Sequence, residues 1–217
     1  EEYKEEVFIC EENGDYICGS EVEKMSKSKW NVVSPDKMCE EYGADCLRLY
    51  EMFLGPLELS KPWNTNGITG VSNFMRKLWR LYHTKENIFF VSEDAPSKQE
   101  LKVLHKTIKK ITDDIERFSF NTSVSNFMIC VNELSDLSCN KRQILEPLAI
   151  LISPYAPHIA EELWQKLVQD KSISTAAFPI FNPACIVETS FSYPISFNGK
   201  TRFNHEFELS LGKEDLE

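Results

Sequence analysis

Apolar residues recur through the middle of this chain with the period of an α-helix. Ile68, Val71, Met75, Leu78 and Tyr82 are spaced by 3, 4, 3 and 4 residues, the repeat that lays a continuous stripe along one helical face. Leu101, Leu104, Ile108, Ile111, Ile115 and Phe118 form a second stripe, and Val124, Phe127, Met128, Val131 and Leu134 a third, behind a cap expected at Asn121. Ile144, Leu148 and Leu151 make a fourth, and Ile159, Leu163 and Leu167 a fifth after Pro157. Helices with one apolar stripe can bury it only against each other. The spacing therefore predicts an antiparallel helical bundle, joined by loops such as 84–99 and 135–140, with the methionines and aromatics of the stripes in its core.

The flanks read differently. Val7-Phe8-Ile9-Cys10 and Tyr16-Ile17-Cys18 are strand-like and surround Asn13-Gly14, a hairpin signal. Ser34-Pro35-Asp36 has the order of an N-cap, a first-turn proline and an early acid, so a helix should start there and break at Tyr42-Gly43. A further helix is expected from Ala44 to Leu54, with Leu47, Tyr50 and Leu54 along its stripe, stopped by Gly55-Pro56. After Pro179, Tyr193, Ile195 and Phe197 alternate with polar residues up to Asn198-Gly199, and Phe203, His205, Phe207 and Leu209 alternate beyond it. This is a second hairpin, too small to be stable alone, and residues 212–217 should open a helix of the same small α+β unit. The fold class expected is mainly α, a helical bundle preceded by a small β and loop stub and followed by a β-hairpin. The expected divisions are 1–58, 59–178 and 179–217.

Composition is that of an ordinary globular protein: 217 residues, 42% hydrophobic and 27% charged. Seven cysteines at irregular spacings, without a C-x-x-C pair, point to reduced structural thiols rather than disulfides or a zinc site. No apolar run approaches the roughly 20 residues of a membrane span, and the charged start Glu1-Glu2-Tyr3-Lys4 is not a signal peptide. A cytoplasmic, reducing compartment is expected. The net charge of −10 speaks against a nucleic-acid partner, but its parts differ: −9 over residues 1–60, +4 over 61–118 and −5 over 119–217. Counterion release is local and distant charge is screened beyond about 8–10 Å, so a basic track is enough to hold RNA on an acidic protein.

The densest chemistry is Lys24-Met25-Ser26-Lys27-Ser28. Two ammonium groups three residues apart, interleaved with two hydroxyls and backbone N–H groups, can reach several oxygens of one polyphosphate. When a carboxylate attacks the α-phosphorus of ATP, donors aimed at the phosphate oxygens stabilise the transition state. The string resembles the second signature motif of class I aminoacyl-tRNA synthetases, and Asn31-Val32-Val33-Ser34-Pro35-Asp36 and Tyr42-Gly43-Ala44-Asp45-Cys46-Leu47-Arg48-Leu49-Tyr50 continue in that register. Gly55-Pro56-Leu57-Glu58 and Lys61-Pro62-Trp63-Asn64-Thr65-Asn66-Gly67-Ile68 resemble the leucyl branch in particular. Trp30 departs from the family, standing where many members carry glycine, and should stiffen the loop.

The resemblance implies a role in activating leucine with ATP and Mg²⁺ and passing it to tRNA(Leu). It implies ATP contacts at Lys24, Met25, Ser26, Lys27 and Ser28, with Lys27 as the catalytic ammonium, and no metal ligands. None of the four histidines, His83, His105, His158 and His205, stands in the family's His-x-Gly-His signature, and no glycine-rich nucleotide turn is present. The chain is thus expected to be a C-terminal piece, a monomer, inactive and free of bound cofactor by itself, whose bundle holds the tRNA body without reading the anticodon.

Lys61, Trp63, Arg76, Lys77 and Arg80 are the candidates for RNA contact, because they mix charge with a ring that can stack. Lys102, Lys106, Lys109 and Lys110 read as a solvated face. Pro154-Tyr155-Ala156-Pro157-His158-Ile159-Ala160-Glu161-Glu162-Leu163-Trp164 resembles the last helix of the family's bundle. There His158 is expected to cap the helix or sit in the core, and Glu161 and Glu162 to complement its dipole. Two other readings stay open: an isoleucyl or valyl sister enzyme, and a non-catalytic helical adaptor for RNA or protein.

Overall fold

The protein is described by a computed structural model, which covers residues 6–10, 14–18, 21–167, 171–187, 190–198 and 200–208. Seven α-helices lie among these residues: α1 Pro35–Tyr42, α2 Ala44–Phe53, α3 Ile68–Tyr82, α4 Lys98–Glu116, α5 Phe120–Asp136, α6 Arg142–Ile152 and α7 Pro157–Leu167. Before them β1 Glu6–Cys10 pairs antiparallel with β2 Gly14–Cys18, and after them β3 Ser190–Phe197 pairs antiparallel with β4 Lys200–Glu208. The expected fold class stands.

Helix boundaries follow local chemistry. Pro35 occupies the first turn of α1, though the Ser34 side chain makes no capping bond there. Gly43 separates α1 from α2 with φ +91°, a conformation L side chains rarely adopt, and its N–H closes α1 on the Cys39 carbonyl at 2.9 Å. A reciprocal capping box starts α4, with Glu100 N–H on Ser97 Oγ at 3.2 Å and Ser97 N–H on Glu100 Oε2 at 2.6 Å. The cap of α5 is Ser119, not Asn121, which lies inside the first turn.

Four of the apolar stripes need adjustment. In α2 the buried face is Asp45, Cys46, Leu49 and Tyr50, while Leu47 and Leu54 are half-buried. This helix packs against α3 and α5 together, so the burying arc shifts to the face between them. In α3, Phe74 and Leu81 join Ile68, Val71, Leu78 and Tyr82 in the core and Met75 is half-buried. Phe118 lies beyond the end of α4 in a left-handed turn at φ +58° and is exposed, and Leu101 and Ile115 are half-buried. In α5, Met128 is half-buried and Cys130 takes its place in the core.

The core runs through α2 to α7. Short links at 117–119 and 153–156 fold α4 against α5 and α6 against α7. The loop between α3 and α4 is pinned: Ser92 N–H donates to the Asn140 carbonyl at 2.7 Å and Arg142 N–H to the Ser92 carbonyl at 2.9 Å. Lys141–Asp94 and Arg142–Glu93 ion pairs reinforce that seam.

The first hairpin differs from expectation in its turn. Gly14 belongs to β2 and faces Cys10, so Asn13-Gly14 is not the centre of a two-residue turn, and residues 11–13 lie outside the described residues. In the second, Phe197 faces Lys200 and Asn198 has φ +54°, as the first central position of a type I′ turn requires; Gly199 lies outside the described residues. A register shift after Ile195 lets Ile195 face Phe203 while Ser196 faces Thr201. Leu209 and the helix expected at 212–217 lie outside the described residues.

Gly67 is required by packing. A Cβ there would stand 2.6 Å from Tyr50 Oη and 3.0 Å from its ring, and that hydroxyl donates to the Asn64 carbonyl. Gly67→Ala is expected to destabilise the fold by about 1–3 kcal/mol in urea unfolding, and a midpoint equal to that of the parent would show that the α2–α3 contact is looser than described.

Candidate functional site

The lysine segment is an exposed loop stapled from within. Ser26 N–H donates to Asn31 Oδ1 at 2.8 Å, and Asn31 Nδ2 returns to the Lys24 carbonyl at 3.4 Å. A single 3-10 turn spans Lys27–Lys29, with Lys29 N–H on the Ser26 carbonyl at 3.0 Å. The Ser26 and Ser28 hydroxyls are 2.7 Å apart. Lys24, Met25 and Lys27 are exposed, and among the described residues neither ammonium has a carboxylate partner. Lys29 is different: its ammonium is bound to Glu23 at 2.7 Å, and that bond holds the Glu23 carboxyl below its ordinary range. Two cations thus remain for an anion.

Trp30 ends this turn with φ +56° and 93% exposure. A left-handed backbone favours glycine, which gives a physical reason for a glycine at this place in related loops. Here the indole projects into solvent and the strain is held by the turn.

The RNA candidates separate into three environments. Arg76 and Arg80, one turn apart on α3, line a cleft of about 920 Å³ together with Tyr42, Met75, Trp79 and His158. Trp79 stacks on His83 with ring centres 3.9 Å apart, and its Nε1–H donates to Asn87 Oδ1 at 2.5 Å. Lys77 lies elsewhere and donates to Asn132 Oδ1 on α5 at 2.9 Å. Lys61 is half-buried beside a smaller hollow of about 410 Å³ with Arg48, Leu57 and Phe120. Trp63 packs edge-to-face on Tyr50 with ring centres 5.2 Å apart and donates to Thr65 Oγ1 at 2.9 Å. On α4, Lys109 and Lys110 are paired with Asp113 and Asp114, at 2.8 and 2.5 Å.

Asp45 is a residue that reading the sequence did not single out. Its side chain is 8% exposed and reaches from α2 to the start of α7. Oδ1 accepts from His158 N–H at 3.2 Å and Nδ1–H at 2.7 Å, and Oδ2 accepts from Ile159 N–H at 2.7 Å. A carboxylate at a helix N-terminus is favoured by both the free N–H groups and the dipole. His158 therefore neither caps nor enters the core: its side chain is 76% exposed and Asp45 caps it. Glu161 and Glu162 lie past the first turn. Glu161 instead accepts from Ser172 Oγ at 2.9 Å and Ile173 N–H at 3.0 Å, and Glu162 pairs with Lys166. The only sequence signal for Asp45 was an acid at the first turn of its own helix, which misdirects.

Burial pushes the thiols up, Cys46 to about 11 and Cys130 and Cys139 to about 12. At neutral pH they are protonated, unsuited to nucleophilic or metal chemistry. Among the described residues no group of three or more His, Cys, Asp or Glu could hold a metal ion, and no helix is long and apolar enough to cross a membrane.

Residues 98–216 match the family described as the anticodon-binding domain of tRNA ligase, and residues 13–58 match that of the class I tRNA synthetases (I, L, M and V). The chain belongs to the anticodon-binding domain family of tRNA ligases. Its relatives include the leucine–tRNA ligase of Christiangramia forsetii, 62% identical over 100% of this chain, and that of Flavobacterium johnsoniae, 63% identical over 100% of it. The chain spans 22% and 23% of those two proteins. In structure it resembles the AgnB2 LeuRS of Agrobacterium radiobacter K84, solved in a ternary complex with tRNA and LeuAMS, with a TM-score of 0.67 and 25% identity, covering 89% of this chain and 26% of that one.

The thiols give a direct check. With a thiol reagent at pH 8, Cys46, Cys130 and Cys139 are expected to stay unlabelled in the folded protein while Cys39 and Cys185, both half-buried, react. Labelling of all five at one rate, read by peptide mass, would contradict the burial described.

Proposed function

We propose that this chain is the part of a leucine–tRNA ligase that supplies the ATP-phosphate loop and the bundle that holds tRNA(Leu). The observation that carries the reading is the pairing, in one chain, of an exposed loop with two uncommitted lysines and a helical bundle of the anticodon-binding family. Relatives 62% and 63% identical over its whole length are leucine–tRNA ligases, which favours leucine over isoleucine or valine and a ligase part over a stand-alone adaptor.

In this reading ATP brings the α-phosphorus that leucine attacks and the pyrophosphate that leaves. Lys27 donates to the phosphate oxygens as charge builds there, and Lys24 and the Ser26 and Ser28 hydroxyls shape the loop around them. The residues present fit such a group: two exposed ammonium groups alternate along the chain with hydroxyls already 2.7 Å apart. Mg²⁺ would come with ATP, and among the described residues no group of three or more His, Cys, Asp or Glu could hold it. Arg76 and Arg80 hold the RNA backbone in the cleft of α3, with Lys61, Trp63 and Lys77 as outlying contacts. A positive track of this size acts locally, which reconciles it with the −10 total.

The full-length protein that contains this chain should perform leucine-dependent ATP–pyrophosphate exchange and charge tRNA(Leu); charging with isoleucine or valine alone would overturn the reading. Lys27→Ala is expected to slow exchange at least tenfold. A loss within about threefold, under one kcal/mol, would remove Lys27 from the role. Arg76→Glu with Arg80→Glu should raise the KM for tRNA and flatten its dependence on salt, and unchanged kinetics would move the RNA elsewhere.

A further inference from the structure

The lysine loop reaches the bundle through a single helix. Its own side-chain hydrogen bonds among the described residues stay within 23–31, and residues 31–34 lead straight into α1. α1 in turn rests chiefly on α2. Whatever fixes α2 against the bundle therefore fixes the loop.

Most of what holds α2 is non-directional. Cys46, Leu49 and Tyr50 bury apolar surface against α3 and α5, and such contacts tolerate small slides and rotations of a helix. Beside the Tyr50 hydroxyl, which ties α2 to the Asn64 carbonyl ahead of α3, two charged side chains one turn apart on α2, Asp45 and Arg48, supply direction toward α7. Asp45 takes the two backbone N–H groups at the start of α7, with 3.2 and 2.7 Å separations, and the His158 ring N–H at 2.7 Å. Arg48 Nη2 donates to the Pro154 carbonyl in the α6–α7 link at 2.8 Å. The anion grips donors and the cation grips an acceptor within one six-residue stretch, 154–159, more than 100 positions away in the chain. Sliding α2 by one turn would break all four bonds at once and leave the carboxylate, 8% exposed, without partners.

We infer that Asp45 and Arg48 are a positioning pair that holds the lysine loop in register with the RNA-binding bundle, so that the acceptor end of a tRNA whose body is seated on the bundle meets the activated amino acid. The inference rests on the ligase reading. Activation of leucine needs the loop and ATP but not the bundle, whereas transfer to tRNA needs both in register. The pair should therefore govern the second step and not the first.

The test uses the full-length protein, with Asp45→Ala, Arg48→Ala and the conservative Arg48→Lys. Three quantities are read for each: leucine-dependent exchange without tRNA, kcat and KM for charging tRNA(Leu), and the thermal midpoint. Asp45→Ala is expected to lower charging kcat more than tenfold and Arg48→Ala three- to tenfold, with exchange and the KM for tRNA within twofold. Arg48→Lys should recover most of the loss. Exchange and charging falling in proportion, a loss confined to KM, or no loss in Arg48→Ala would each overturn the pair's role. A parent that is inactive in exchange overturns the ligase reading and the pair with it, whereas an active parent with unaffected variants overturns the pair alone.

Discussion

The joint between α2 and α7 carries the architecture. Five of the helices could pack as an amphipathic bundle by burying their stripes, and that burial is the larger energy, but it does not say how the segment before them is aimed. A carboxylate removed from water is costly unless its oxygens are used, and Asp45 uses both, on a helix end whose N–H groups and dipole favour an anion. Each charge-assisted bond of this kind is worth about 1.5–3 kcal/mol, and breaking such an arrangement on one side costs more than the bond itself. The geometry of the loop-bearing end is thereby tied to one arrangement of the bundle.

Charge is distributed to suit this division. The acidic total of −10 would repel a polyanion if it acted as a whole, yet it is spent locally: Glu23 on Lys29, Asp113 and Asp114 on the α4 lysines, Glu161 on the turn at 172–173. Lys24 and Lys27 have no such partner among the described residues, and Arg76 makes only long contacts with Asn73 and Ser72 of its own helix, at 3.3 and 3.4 Å. Cations left uncommitted beside a loop and a cleft are what a phosphate-binding surface needs.

Much of this was legible in the sequence because it is local. The 3-and-4 repeat located α3 to α7, Ser34-Pro35 and Gly43 bounded α1, and Asn198-Gly199 located the second turn. What escaped depends on neighbours that the period cannot name. Leu49 replaced Leu47 at the centre of α2 because two helices lie against it, and Phe118 left its stripe because the chain turns left-handed there. Of the candidate site, the exposed lysine loop was plain from its residue types, and Arg76 and Arg80 were singled out as charges without the cleft they line. Asp45 was hidden for a simple reason. Its partners lie at 158 and 159, and a single sequence gives no sign of a bond over that distance.

In the proposed function, α2 holds a loop for ATP phosphates and a cleft for RNA in one fixed relation. A cryo-electron microscopy map of the full-length protein with tRNA(Leu) and a non-hydrolysable leucyl-adenylate analogue tests that relation most directly. It should show RNA backbone density against Arg76 and Arg80 with the Asp45–Ile159 bond intact. RNA density confined to other faces of the bundle, or α2 detached from α7 in the bound state, would contradict it.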